Sequence, residues 1–145
     1  MLNSFYLIGR VCATPELKTY NNSSGDTFTV TNLRLAVNRP FKNLDGELVP
    51  DFFNIVLWEL NAKNACDFLS KGDLVAVVGR LQSRTSQLNI EVGGEAVTKK
   101  INNIDIIGER VIYLSTKGRK ELNDEIDNYN QEVNNDSYSD INEEE

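Results

Sequence analysis

Asp51-Phe52-Phe53-Asn54-Ile55-Val56-Leu57-Trp58 alternates strictly, and the residues that follow it do not. Phe53, Ile55 and Leu57 share one side of an extended strand, while Phe52, Asn54, Val56 and Trp58 share the other, because strand side chains repeat every two residues. The first set is wholly apolar and suits a core. The second mixes two large rings with an amide, as an outward face does. Past Leu60 the period lengthens. Ala62, Ala65, Cys66 and Leu69 fall on one stripe of a helix over Asn61–Leu69, which Lys71-Gly72 stops. A strand over Asp51–Leu60 thus runs into the one convincing helix of the chain.

Upstream, Phe5–Val11 reads as a strand with Phe5, Leu7 and Val11 on one side and Tyr6, Ile8 and Arg10 on the other. Thr14-Pro15 breaks it, Glu16–Tyr20 offers a short extension, and Asn21–Asp26 has loop chemistry throughout. A second long strand covers Thr27–Asn38, but Phe28 and Val30 are even whereas Leu33, Leu35 and Val37 are odd. A β-bulge near Thr31-Asn32 would reconcile the two halves. Asn43-Leu44-Asp45-Gly46 is a turn into the third strand. Downstream, Asp73–Arg84 returns to β, with Leu74–Val78 apolar on both faces and Gly79 marking a close turn or bulge. Ser86–Asn103 reads as an extended hairpin turning at Gly93-Gly94, and Ile104–Leu114 as a last strand. Three strands, one helix and two strands match an all-β, five-stranded Greek-key barrel with a short helix between strands three and four, the OB-fold. Strand counting by itself leaves that plan open.

Charge divides the chain. Residues 1–114 carry twelve Lys/Arg and twelve Asp/Glu, so the net charge of −7 arises beyond them. Lys117, Arg119 and Lys120 are followed by ten acids and no base in residues 121–145. The few apolar residues there, Leu122, Ile126, Tyr129, Val133, Tyr138 and Ile141, are too sparse to offset the entropy of ordering the chain. A domain is expected over 1–114 and a basic-then-acidic disordered tail over 115–145. An acidic total does not exclude nucleic-acid binding when the acid is confined to one end.

Histidine is absent, which removes the commonest general base and most zinc sites. Asp51, Glu59 and Asp73 have no phosphate-cradling glycine loop or nucleophile motif beside them. No catalysis, cofactor or metal is expected. Cys12 and Cys66 read as reduced, small apolar residues rather than a long-range disulfide. Met1-Leu2-Asn3-Ser4 leads into a strand without a basic or apolar leader, and no apolar run approaches the roughly 20 residues of a membrane span. The expected place is the cytoplasm, with no membrane partner.

Several blocks then become specific. Leu7-Ile8-Gly9-Arg10-Val11, Thr14-Pro15-Glu16-Leu17-Lys18, Leu35-Ala36-Val37-Asn38-Arg39-Pro40-Phe41, Asp51–Trp58, Phe68-Leu69-Ser70-Lys71-Gly72-Asp73 and Val78-Gly79-Arg80-Leu81-Gln82-Ser83-Arg84 occur in the order and spacing of bacterial single-stranded DNA-binding proteins. The chain resembles that family over roughly residues 1–114. The resemblance implies an OB-fold, usually a homotetramer, that coats unpaired DNA in replication, recombination and repair. It departs at two places. Ser86 stands where many members carry a stacking aromatic, and Asp140-Ile141-Asn142-Glu143-Glu144-Glu145 lacks the Pro-Phe that commonly follows the acids and recruits partner enzymes.

Sequence-independent strand binding needs flat faces for bases and cations for phosphates. The resemblance places stacking aromatics at Phe41, Phe52 and Trp58. On periodicity alone, Phe52 and Trp58 fit equally well against a partner subunit or under the long hairpin. Phe41 lies between Arg39-Pro40 and Lys42, where an exposed ring has no packing role. Tyr20, beside Lys18, suits stacking or hairpin packing alike. The cationic candidates are Arg10, Lys18, Arg34, Arg39, Lys42, Arg80, Arg84, Lys99 and Lys100, and only their convergence on one groove would make them phosphate contacts. Lys117-Gly118-Arg119-Lys120 reads as a solvated linker. The tail, residues 121–145, is expected to compete with DNA for a cationic groove and to be the segment that meets replication or repair proteins. An alternative is an OB-fold accessory subunit of a primosome or phage replication complex that works mainly through protein contacts.

Overall fold

Inward-facing aliphatic side chains on five strands close one sheet on itself. The computed structural model describes residues 1–115; the acidic tail anticipated at the C-terminus lies, from residue 116 on, outside the described residues. In chain order the elements are β1 (Phe5–Val11), β2 (Lys18–Asn21), β3 (Thr27–Lys42), β4 (Leu48–Trp58), α1 (Glu59–Phe68), β5 (Leu74–Val92) and β6 (Glu95–Ser115). The sheet order is β1-β5-β6-β4-β3-β2, and a further β1–β3 pairing shuts the ring. β4 and β6 run parallel, with Ile55 opposite Ile106. This is the Greek-key barrel of an OB-fold, its helix between the third and fourth barrel strands. β2 adds a sixth, peripheral strand along β3.

Val11, Leu33, Leu35, Ile55, Leu57, Val75 and Val77 fill the barrel, and α1 sets Ala62 and Ala65 against them, with Leu69 just past its end. The Phe68 ring meets Tyr113 of β6 edge-on at 6.3 Å, tying the end of the helix to the sheet. The alternation along β4 resolves as its composition requires: Ile55 and Leu57 are fully buried, while Phe52, Asn54 and Trp58 face outward.

The second long strand corrects one expectation. There is no bulge near Thr31-Asn32, because β3 and β4 stay in continuous register from Val30↔Trp58 to Asn38↔Pro50, and the irregularity falls between Asn38 and Lys42. Odd positions point inward along the whole stretch. Thr29 and Thr31 are buried there, and Thr31 Oγ1 donates to the Glu16 carbonyl at 2.7 Å. Threonine is β-branched and suits a strand, and Thr31 sits inside with its hydroxyl bonded while that of Thr29 has no partner among the described residues; at both, polarity misdirects a parity argument. Phe28 and Val30 consequently belong to the outer face.

Two backbone devices position the site. Glu59 adopts φ 52°, a left-handed conformation that turns β4 directly into α1 and costs a non-glycine residue about 1–2 kcal/mol. Its carboxylate accepts the Thr29 N–H at 3.1 Å, fixing the junction to β3. At Gly79 the β5–β6 register jumps, Val78 facing Arg110 and Gly79 facing Gly108, so Glu109 is the extra residue of a bulge. A Cβ on Gly79 would collide with the Ile107 carbonyl oxygen. Beyond it the two strands leave the barrel as an arm, pairing only with each other from Gln82↔Asp105 to Val92↔Glu95. The arm turns at Gly93 and Gly94, both at positive φ as a two-residue hairpin loop requires. Cys12 and Cys66 are free thiols.

Candidate nucleic-acid interface

Cross-strand partners point to one face of a sheet, so the register builds the site row by row. On the outer face of β3 and β4, Val30 lies beside Trp58, Asn32 beside Val56, Arg34 beside Asn54 and Ala36 beside Phe52. Tyr20 on β2 pairs with Phe28, one step beyond Val30 on the same face. Tyr20, Phe28 and Trp58 together line a recess of about 480 Å³ with almost purely apolar walls. Phe52 and Trp58 stand six residues apart on β4, about 20 Å of strand. The Arg34 guanidinium lies over the Phe52 ring, 5.1 Å from its centroid, a cation–π arrangement that holds both flat groups outward. Phe52 is 54% exposed and Trp58 44%, so neither is sealed within the barrel. Phe41 is still more open, near the end of β3.

A second recess joins this face to the root of the arm, where Phe52, Asn54 and Val56 meet Arg84, Asn103 and Asp105. Arg84 is ion-paired with Asp105 at 3.0 Å, and that hydrogen bond raises the guanidinium pKa above its ordinary value. Arg39 bonds both carboxylate oxygens of Asp51, the closest approach being 2.8 Å. The same hydrogen bonds hold the Asp51 carboxyl below its usual range. Arg80 pairs with Glu109 at 2.9 Å. The Arg39 and Arg80 pairs are exposed, where an ion pair contributes little and a phosphate can replace the carboxylate at small cost, whereas Asp105 of the Arg84 pair is half-buried.

The remaining cations fall differently. Arg10 reaches the same outer surface by way of Ala36, its register partner, which is also the partner of Phe52. Its guanidinium donates to the Gly72 carbonyl at 3.0 Å. Lys18 sits opposite Val30, next to the aromatic recess, and Lys42 lies exposed at the far end of β3. Lys99 and Lys100 occupy opposite faces of the arm. Lys99, opposite Leu88, shares the face of Arg84, whereas Lys100, opposite Gln87, does not. Ser86 fills no aromatic role, and its hydroxyl accepts from Asn103 Nδ2 at 3.1 Å.

The structure therefore gathers Tyr20, Trp58, Phe52, Arg34 and Arg84 along one outward surface, with Arg10 on its flank; Arg39 is held by Asp51, which has the strand parity of Phe53 and not of Phe52, and Phe41 and Lys42 lie exposed past the register break in β3. Phe28 is the residue that reasoning from sequence passed over. The signal was present in the even parity it shares with Val30, and the supposed bulge concealed it.

Residues 2–107 match the sequence profile of the Single-strand binding protein family. A protein of Oceanobacillus iheyensis named single-stranded DNA-binding protein is 35% identical over 131 residues, covering 90% of this chain and 74% of that protein. Its Halalkalibacterium halodurans counterpart is 36% identical over 118 residues, covering 81% of this chain and 64% of that one. The crystal structure of the wild-type single-stranded DNA binding protein from Thermus aquaticus superposes with a TM-score of 0.57 at 26% identity, over 81% of this chain and 52% of its own. The chain thus spans about half of that solved protein.

Proposed function

This chain belongs to the Single-strand binding protein family, and from that premise we propose that it binds and protects single-stranded DNA without sequence preference and without catalysis. Bases stack on Phe52, Trp58, Tyr20 and Phe41 of the outer face, and phosphates exchange with the carboxylates that now hold Arg39, Arg80 and Arg84. Arg10, Arg34, Lys42 and Lys99 complete the cationic track. Lys100, on the far face of the arm, meets a strand only where it wraps around that arm. Coating of this kind serves replication, recombination and repair in the cytoplasm. Four copies assembled as a homotetramer would carry one strand across several such faces, and the exposed Tyr6 and Ile8 on β1 favour assembly on that side.

The observation that carries this proposal is the exposed pair of rings on β4 with the Arg34 guanidinium over one of them. Rings accept any base because every base has a π-face, and each stacked base contributes about 1–3 kcal/mol. Trp58 is the only tryptophan, so its emission reports on the site directly. Oligothymidylate should quench it to saturation at a fixed nucleotide-to-protein ratio. Phe52→Ala and Phe41→Ala should then weaken binding at both low and high salt, whereas Arg84→Ala should mainly flatten the salt dependence. Unchanged Trp58 emission in the presence of strand would overturn the proposal.

A further inference from the structure

The β3–β4 register ends with Val30 opposite Trp58, so a further rung would set Thr29 against Glu59. The chain leaves the sheet there instead. Glu59 takes φ 52°, and α1 begins with Trp58 as its N-cap residue, whose indole makes no capping hydrogen bond. A side chain supplies the missing rung, since Glu59 Oε1 accepts the Thr29 N–H at 3.1 Å. Past that point, among the described residues, Thr27, Phe28 and Thr29 pair only with β2, the edge strand of the sheet. The linked residues stand between two walls of the aromatic recess. Phe28 precedes Thr29 on β3, Trp58 precedes Glu59 at the end of β4, and Tyr20 faces Phe28 from β2.

We propose that Glu59 is a positioning residue for strand binding. Its carboxylate sets the spacing of Phe28 and Trp58, and so the width of the recess, without itself touching the strand. This rests on the base-stacking reading above. Phe28 and Trp58 both stand where the β3–β4 ladder has stopped, one on a two-stranded ribbon and the other at a helix start. A two-stranded ribbon is marginal in water by itself, so a bond that ties it to β4 decides where its ring lies. The choice of residue points the same way. A left-handed φ suits glycine, which has no Cβ to strain. An acid beside a surface that receives phosphates also repels them. Glutamate stands at this position against both preferences, and the bond its carboxylate makes is the rung to Thr29.

The Thr29 donor is main-chain and survives any substitution there except proline, so the test acts on the acceptor, in the full chain. Glu59→Gln removes the charge and keeps an oxygen that can accept. Glu59→Ala removes charge and acceptor and keeps the backbone strain, whereas Glu59→Gly removes all three. With no strand present, acrylamide should quench Trp58 more readily in the alanine and glycine variants than in wild type, and the glutamine variant should match wild type. Oligothymidylate should bind the alanine and glycine variants about fivefold more weakly than the glutamine variant, the low end of one stacking contact. The factor should be the same for both, although the glycine variant unfolds at the higher urea concentration. All three variants are neutral at this position, so the comparison is free of charge effects. Equal acrylamide quenching in all four proteins overturns the proposal, as does a glutamine variant that binds as weakly as alanine. So does an affinity loss that follows the urea midpoints, which would make the role one of stability alone. The acrylamide measurement needs no strand, so failure of the link and failure of the strand-binding proposal are read separately.

Discussion

Thr29 Oγ1 is buried without a hydrogen-bond partner among the described residues, although the backbone N–H of the same residue is bonded to Glu59. Valine has nearly the shape of threonine and no hydroxyl to strand, so Thr29→Val should raise unfolding stability by about 1 kcal/mol. A higher urea midpoint with unchanged slope would bear this out, and a lower one would show that the hydroxyl is satisfied. Asp51 poses the opposite case, a carboxylate whose partner, Arg39, is proposed to meet phosphate. It keeps Arg39 from presenting its full charge, so Asp51→Asn should tighten strand binding at low salt and steepen the salt slope by about 0.7. An unaltered slope would mean that Arg39 never reaches phosphate. The pH sign follows from the same pair. The hydrogen bonds from Arg39 depress the Asp51 pKa, so the stability they add is present above the ordinary carboxylate range and lost as pH falls through the depressed value. A phosphate that takes Arg39 away lets the Asp51 pKa rise again, so strand binding should take up protons in the acid range and tighten as pH falls there.

At the scale of the strand, Phe28 tests how the outer face is built. Its register partner is Tyr20, and Trp58 closes the recess they share. If this recess takes a base, Phe28→Ala should weaken oligothymidylate binding about 5- to 150-fold at low and high salt alike, the range of one stacking contact, and reduce the quenching of Trp58. Equal affinity would leave Phe28 a mere wall. Much of this face was legible beforehand. Strict alternation across Phe52–Trp58 admits only one division into inner and outer sides, and the lengthened period after Leu60 separates helix from strand. What misled was Thr29 and Thr31. Periodicity classifies residues by polarity, whereas the barrel classifies them by side, and a threonine bonded to the Glu16 carbonyl is as good an inner residue as a valine. The carboxylate partners of Arg39, Arg80 and Arg84 were out of reach for another reason. Arg80 and Arg84 meet theirs across the β5–β6 register, at 29 and 21 residues' separation, which no local pattern encodes.

Across the whole molecule, charge is unevenly placed. Residues 1–114 balance their charges, yet several of their cations are neutralised locally by carboxylates, and residues 121–145 add ten more acids covalently joined to the same chain. On the function proposed above, a strand arriving at the outer face would compete with two kinds of carboxylate. Those of Asp51, Glu109 and Asp105 are fixed beside their arginines. Those beyond residue 120 would act through effective concentration, near millimolar for a short tether. The two can be told apart, since removing a fixed carboxylate affects one cation while removing the tail relieves all of them together. Deleting residues 121–145 should tighten binding of oligothymidylate at low salt by on the order of tenfold. The gain should vanish at high salt, where screening to about 3 Å at 1 M silences a competitor that acts only through charge. Asp51→Asn in the truncated chain should then add its own smaller increment, because the two competitors occupy different places. Equal low-salt affinities for the full and truncated chains would show that the acids never visit the cationic face, leaving the fixed carboxylates as the only ones a strand must displace.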